Sequence, residues 1–85
     1  MVLPGEIGTQ TDNIDASVLN YKMSVTIPEV DTIDYVVDVK ISTSPLLVAQ
    51  PQYIGFSANV VGFTLVLSAN VAGVTVTAEA WAWGH

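Results

Sequence analysis

The chain has 85 residues, a formal net charge of −6 and no cysteine, which excludes disulfides and thiolate metal sites. Lys22 and Lys40 are its two basic side chains, so we expect neither a nucleic acid nor an anionic membrane as a partner. No apolar run reaches the ~18 residues of a membrane-spanning helix. The stretch Met1–Glu6 does not resemble a secretion signal, so we expect cytoplasmic synthesis. Domains this small usually gain stability from disulfides, metals or oligomerisation, and self-association or docking onto a larger partner is therefore expected.

Residues 1–17 are rich in Gly, Thr, Asp and Asn and show no sustained hydrophobic period. This composition is typical of a loop or an extended segment. We predict an extended N-terminal arm over residues 1–17, followed by a single β domain over residues 18–85. We expect such an arm to be ordered by contact with a neighbouring subunit, which makes its apolar residues interface candidates: Val2, Leu3 and Ile7.

Strict alternation of apolar and polar residues follows in two segments, and period two over this length predicts half-buried strands. Burying both apolar sets on one face predicts an antiparallel hairpin over residues 18–43, with Ile27 paired to Ile33 and Lys22 opposite Asp38. The apolar positions, all odd, are Leu19, Tyr21, Met23, Val25 and Ile27, then Ile33, Tyr35, Val37, Val39 and Ile41.

A duplicated octapeptide predicts two equivalent turns in the C-terminal half. The stretch Ser57–Thr64 recurs as Ser68–Thr75, each copy with Asn three residues before Gly. Asn favours the first position of a type I turn and Gly the left-handed position after it, which is a common hairpin connection. We therefore predict that Gly62 and Gly73 are turn glycines with positive φ. Strands over about 52–58, 63–69 and 74–83 would then form a three-stranded meander.

The last strand has two unlike faces. Its even positions, from Val74 to Ala82, are small and aliphatic and suit packing against a second sheet. Its odd positions carry Trp81 and Trp83, with His85 in line. Three interpretations of the tryptophans stay open: a second core face, a protein–protein contact, or a platform for stacking sugars. The whole pattern predicts an all-β fold, a small antiparallel β-sandwich or barrel of about five strands.

The residue types that catalysis needs are missing or badly placed. There is no cysteine, and the single histidine is the last residue. No Gly-x-Ser-x-Gly elbow or phosphate-binding glycine motif occurs. The acidic residues fall in the arm, at the predicted hairpin tip and on a polar strand face, where we expect solvated carboxylates rather than acid–base pairs or calcium ligands. We therefore predict no enzyme activity, no cofactor and no metal site.

The acidic, cysteine-free composition, the Thr/Asp/Gly-rich arm, the strands rich in Val, Ala, Ser and Asn, and the aromatic C-terminus occur together. In these features of composition and order the chain resembles small virion structural proteins of tailed bacteriophages. The resemblance implies a capsid decoration (cement) protein, made in the host cytoplasm and located in the virion. It also implies a homo-oligomer, such as a trimer, that contacts the major capsid protein or another virion protein. The arm and the C-terminal edge with Trp81, Trp83 and His85 would make these contacts.

Two alternative functions remain at this stage. A phage tail or tube subunit would use the long hairpin over residues 18–43. A ligand- or carbohydrate-binding β module would use Trp81 and Trp83.

Overall fold

The computed structural model describes residues 5–14, 20–44, 46–67 and 73–85. Their strands pair into two three-stranded antiparallel sheets, with order β1-β6-β3 in sheet A and β2-β5-β4 in sheet B. No helix occurs in these residues, and so none that is long and apolar enough to cross a membrane. The all-β prediction is confirmed and the arrangement is consistent with a small β-sandwich, but the strands number six rather than five: β1 (Glu6–Ile14), β2 (Asn20–Thr26), β3 (Ile33–Ser44), β4 (Ala49–Ser57), β5 (Val60–Leu67) and β6 (Val74–Gly84).

The core is formed by the alternating faces of the strands. On β6 the even positions from Val74 to Ala82 are buried, and on β5 the odd positions from Val61 to Leu67 are buried. Because successive side chains of a strand point to opposite faces, each of these central strands gives one face to the core. In the described residues no polar or charged side chain is buried. The prediction that the small aliphatic face of the last strand packs inward is therefore confirmed.

The predicted N-terminal arm is not confirmed over residues 6–14. These residues form β1, which pairs with β6 from Glu6–Ala82 to Ile14–Val74, and Ile14 is buried in the core. The segment lacks hydrophobic alternation because β1 is an edge strand with most of its side chains exposed. Its backbone hydrogen bonds to β6 do not depend on apolar side chains. The boundary proposed at residue 17 is likewise not supported, and residues 1–4 and 15–19 lie outside the described part.

The predicted hairpin between β2 and β3 is wrong. β2 pairs with β5, and β3 pairs with β6, so the connection after Ile27 passes from sheet B to sheet A. Lys22 lies opposite Thr64 and Asp38 lies opposite Trp81, rather than opposite each other. Alternation shows that a strand buries one face, but it does not identify the neighbouring strand. Here the two segments lie in different sheets, β2 beside β1 and β3 beside β4.

β3 departs from alternation because it has two irregularities in its pairing with β6. Each adds one residue on β3 relative to β6, as a β-bulge does, and each shifts the inward-facing position by one. As a result Tyr35 and Val37, which alternation places in the core, are exposed, while Val36 packs against the core. The irregularities lie between Ile33 and Tyr35 and between Val36 and Asp38.

The predicted C-terminal turns are correct only in part. β4 and β5 form a hairpin, but its turn is Ala58–Asn59, with a positive φ of 51° at Ala58. Gly62 lies inside β5 without a positive φ, so its predicted turn role is wrong. Gly73 has a φ of 72°, as predicted, whereas Asn70 lies outside the described residues. The meander is also wrong, because β5 and β6 belong to different sheets.

Candidate docking surface

The fold has two sides at which an edge strand of sheet A lies beside an edge strand of sheet B. β1 lies beside β2 on one side, and β3 lies beside β4 on the other. Edge strands carry unpaired backbone groups along their outer edges, so natural proteins protect them or use them for binding. The side chains on the two sides differ in kind, and this difference identifies a candidate docking surface.

A hydrogen bond connects the strands on the β1–β2 side, and a second one supports it within β1. The Tyr21 hydroxyl on β2 donates to Asp12 Oδ2 on β1 at 2.9 Å, and Gln10 Nε2 donates to Asp12 Oδ1 at 2.8 Å. The hydrogen bond to Asp12, together with burial and the charge of the same carboxylate, raises the pKa of Tyr21 above its usual 10.0. Among the exposed large hydrophobic residues of the described chain, Ile7 alone belongs to this side.

Apolar side chains are exposed along the β3–β4 side. Single exposed apolar residues are common on protein surfaces, but a set concentrated on two adjoining strands is typical of an interaction site. We call this set the β3–β4 seam. Its members are between 45% and 89% exposed: Tyr35 and Val37 on β3, Leu46 and Val48 in the connection, and Tyr53, Ile54 and Phe56 on β4.

An open groove of about 390 Å³ lies at the centre of the seam. Asp38 is the one ionisable residue in its lining, and its Oδ1 accepts the backbone N–H of Val39 at 2.9 Å. The other lining residues have apolar side chains, while Asp38 and backbone groups add polar surface, so the groove is suited to a segment of another protein. The apolar lining residues are Val36, Val37, Val39, Pro51, Ile54 and Phe56.

A long uncharged stretch of sequence underlies the seam. From Ile41 to Ala78 the chain has no Asp, Glu, Lys, Arg or His, and the whole of β4 falls in this stretch. Edge strands are commonly protected by charged side chains, and β4 has none. The absence of charge marks β4 as an unusual edge strand.

The outer face of sheet A brings together three of the six interface residues predicted from sequence. Ile7 pairs with Trp81, and Trp83 pairs with Tyr35, so these residues share one face. Both tryptophans are half-buried rather than members of the core. We call this set the aromatic face, and it meets the β3–β4 seam at Tyr35.

Trp81 already has partners on both its ring and its nitrogen. Its Nε1 donates to Glu79 Oε1 at 2.8 Å, and Lys40 Nζ lies 5.4 Å from its ring centroid. A cation at this distance interacts favourably with the aromatic ring. Trp81 is therefore less available for stacking on a ligand than Trp83.

His85 lies apart from the predicted interface cluster. Its carbonyl accepts the N–H groups of Asp31 and Thr32, both at 3.0 Å, and its own N–H donates to the Thr32 carbonyl at 2.9 Å. The His85 Nδ1 lies 3.2 Å from Asp34 Oδ1. These contacts fix the end of β6 to the segment before β3, which is a structural role. The other predicted interface residues, Val2 and Leu3, lie outside the described part.

Within residues 5–14, 20–44, 46–67 and 73–85, no group of three or more His, Asp or Glu residues is placed to hold a metal ion. Comparison with protein-family models, curated proteins and solved structures found no match. The candidate surface is therefore interpreted from its own chemistry.

Proposed function

We propose that the chain is a non-enzymatic structural subunit that docks onto other protein subunits through the β3–β4 seam. The observation that carries the proposal is the contrast between the two sides of one small domain. One side is joined by the hydrogen bond from Tyr21 to Asp12, whereas the other exposes seven large apolar residues. Covering apolar area contributes about 25 cal/mol per Å², so a partner that covers the seam gains a substantial driving force.

The specific form of this proposal is a capsid decoration or cement subunit of a tailed bacteriophage. It rests on the sequence resemblance, and the seam supports it only as far as it favours docking onto protein. The alternative of a tail or tube subunit has lost its proposed element, because β2 and β3 do not form the hairpin over residues 18–43.

Sedimentation of the native protein tests the proposal. In a gradient of extract from the source organism, we expect the chain to migrate with a large protein particle at a fixed stoichiometry, rather than as a free 9.0 kDa protein. A Val37→Asp variant places a charge in the groove and should release the chain from the particle. Thr9→Asp, on the exposed part of β1, adds the same charge away from the seam and should not. Wild-type protein found wholly at the top of the gradient would contradict the proposal.

Carbohydrate binding is a second candidate, favoured by the placement of Trp83 beside Tyr35 on the exposed outer face of sheet A. Aromatic pairs of this kind offer flat apolar surfaces to a sugar ring. A sugar-binding module would show saturable changes in tryptophan fluorescence with oligosaccharides, and these should disappear in Trp83→Ala but persist in Trp81→Phe. A structural subunit would show no saturable change in tryptophan fluorescence with oligosaccharides.

A further inference from the structure

We propose that the partner covering the β3–β4 seam is the same seam of a second copy of this chain, related by a two-fold axis. This inference rests on the proposed docking function and specifies its partner. A two-fold interface places one surface patch against itself. The patch must therefore be compatible with its own copy in charge, size and backbone edge.

The charge distribution favours a second copy over a partner of opposite charge. The chain carries a net charge of −6. A basic partner would therefore be expected to bind where the carboxylates of this chain are concentrated. The seam carries little net charge, because β4 has no charged residue and the two carboxylates of β3, Asp34 and Asp38, are accompanied by Lys40. Glu6 and Asp12 lie on β1, at the opposite edge of sheet A. Two copies can therefore meet seam to seam with few like charges in contact.

The exposed apolar area matches what a stable dimer needs. Tyr53 and Leu46 are almost fully exposed, at 85% and 89%, and the other seam residues are exposed by 45% to 65%. Covering these side chains completely would bury at most roughly 750 Å² per copy, or about 1,500 Å² in total, on the side-chain areas typical of their size. Stable specific interfaces bury about 1,200–2,000 Å² in total. The seam is therefore large enough for a specific dimer without a contribution from Ile7, Trp81 or Trp83.

The backbone of β3 offers a regular edge for pairing. From Asp38 to Ser44 its register with β6 has no irregularity, and β3 has no second strand neighbour among the described residues. Such an edge accepts another strand by main-chain hydrogen bonds. β4 is less suited, because Pro51, a register shift and the left-handed Tyr53 interrupt it. We infer that β3 pairs with β3 of the second copy while side chains of β4 cover the groove.

Sedimentation equilibrium of the purified full chain, over roughly 1–100 µM, tests this inference. The expected result is a reversible dimer with twice the monomer mass of 9.0 kDa. Tyr53→Lys and Val37→Lys, both at exposed seam positions, should each weaken the dimer by at least ~30-fold, as expected for residues central to an interface. The added lysine changes the net charge of the chain from −6 to about −5, so weaker association cannot be attributed to greater overall repulsion.

Ile7→Lys is the matched control, because Ile7 is exposed at 40% but lies on β1. It should leave the dimer unchanged, and circular dichroism should show all three variants folded. A monomeric wild type, a trimer, or a dimer disrupted by Ile7→Lys but not by the seam variants would each overturn the inference. A chain that is monomeric alone but still sediments with a particle in extract would refute self-pairing and leave the structural role intact. A monomer in both experiments would refute both.

Discussion

Replacing Gly8 by alanine is expected to destabilise the fold, because Gly8 lies where β1 comes closest to the end of β2. Gly8 is buried and pairs with Ala80 on β6. A Cβ atom at this position would overlap the carbonyl oxygen of Thr26 and would lie 2.9 Å from Ile27 Cδ1. Ile27 is itself fully buried. Admitting the Cβ atom therefore requires a shift of the Thr26 backbone, beside a side chain that is packed in the core.

The size of the effect follows from the kind of atom that is overlapped. Overpacking a well-packed interior typically costs about 1–3 kcal/mol. A clash with backbone cannot be relieved by a side-chain rotation, so the free energy of unfolding should fall by about 2–3 kcal/mol, at the upper end of that range. For a domain of this size, this corresponds to a fall in Tm of roughly 10–20 °C.

Gly62→Ala provides the matched control for Gly8→Ala. Gly62 lies in β5 without a positive φ, and a Cβ there meets no atom within 4 Å. Alanine is favoured over glycine in a strand by about 0.5–1 kcal/mol, so this variant should be as stable as the wild type or more stable. Thermal melts and urea titrations followed by circular dichroism measure both. If Gly8→Ala has the same Tm as the wild type, β1 does not pack against β2, and residues 6–14 form a loosely attached arm instead.

Two further predictions concern a hydrogen bond and a turn. Tyr21→Phe removes the bond to Asp12 at 2.9 Å and should lower the free energy of unfolding by about 1 kcal/mol at neutral pH. Because the folded-state pKa of Tyr21 is raised above 10.0, its contribution is complete below pH 10 and is lost as the pH rises through the folded-state pKa. The stability difference between wild type and Tyr21→Phe should therefore shrink in urea titrations at alkaline pH, and a difference independent of pH would contradict this role. Ala58→Gly should stabilise the protein by about 0.5–1 kcal/mol, because Ala58 has a φ of 51° in a two-residue hairpin turn where glycine is preferred. A loss of stability in the same titrations would show that the turn has another conformation.

The sequence predicts the strands better than their partners. The small aliphatic positions of β6 are buried as alternation predicts, and so are Met23 and Val25 on β2, while Tyr21 is partly buried. Alternation within one segment shows which face of that strand is buried. Pairing depends on a second strand that is distant in the sequence, and the segment itself does not identify it. The connection after β2 changes sheets, and no local signal at Pro28 or Glu29 distinguishes this from a hairpin. β1 was missed because an edge strand held by backbone hydrogen bonds needs few apolar residues.

Three of the predicted interface residues lie together in the fold, and their role in a contact stays a prediction. Ile7 was predicted from the N-terminal segment and the two tryptophans from the last strand, and the pairing of β1 with β6 places Ile7, Trp81 and Trp83 on one face. The seam was not predicted, because Tyr35 and Val37 fit the alternation that assigns them to the core. The uncharged stretch from Ile41 to Ala78 is visible in the sequence and would have marked β4 as an edge without charged protection.

The two irregularities in β3 explain why alternation wrongly placed Tyr35 and Val37 in the core, and why apolar side chains are exposed at the β3–β4 seam. Without them, Tyr35 and Val37 would face the core as alternation requires, and the β3–β4 side would lose two of its apolar residues. With them, Val36 takes the inward position and Tyr35 and Val37 become exposed. Bulges occur often where a strand must redirect a side chain, and they are treated as specified features of a fold. In this chain they redirect apolar residues outward next to an uncharged edge strand, at the expense of core burial. A domain this small gains from such an exchange if the exposed residues are covered by another protein, which is the physical reason for proposing that the seam is a subunit contact.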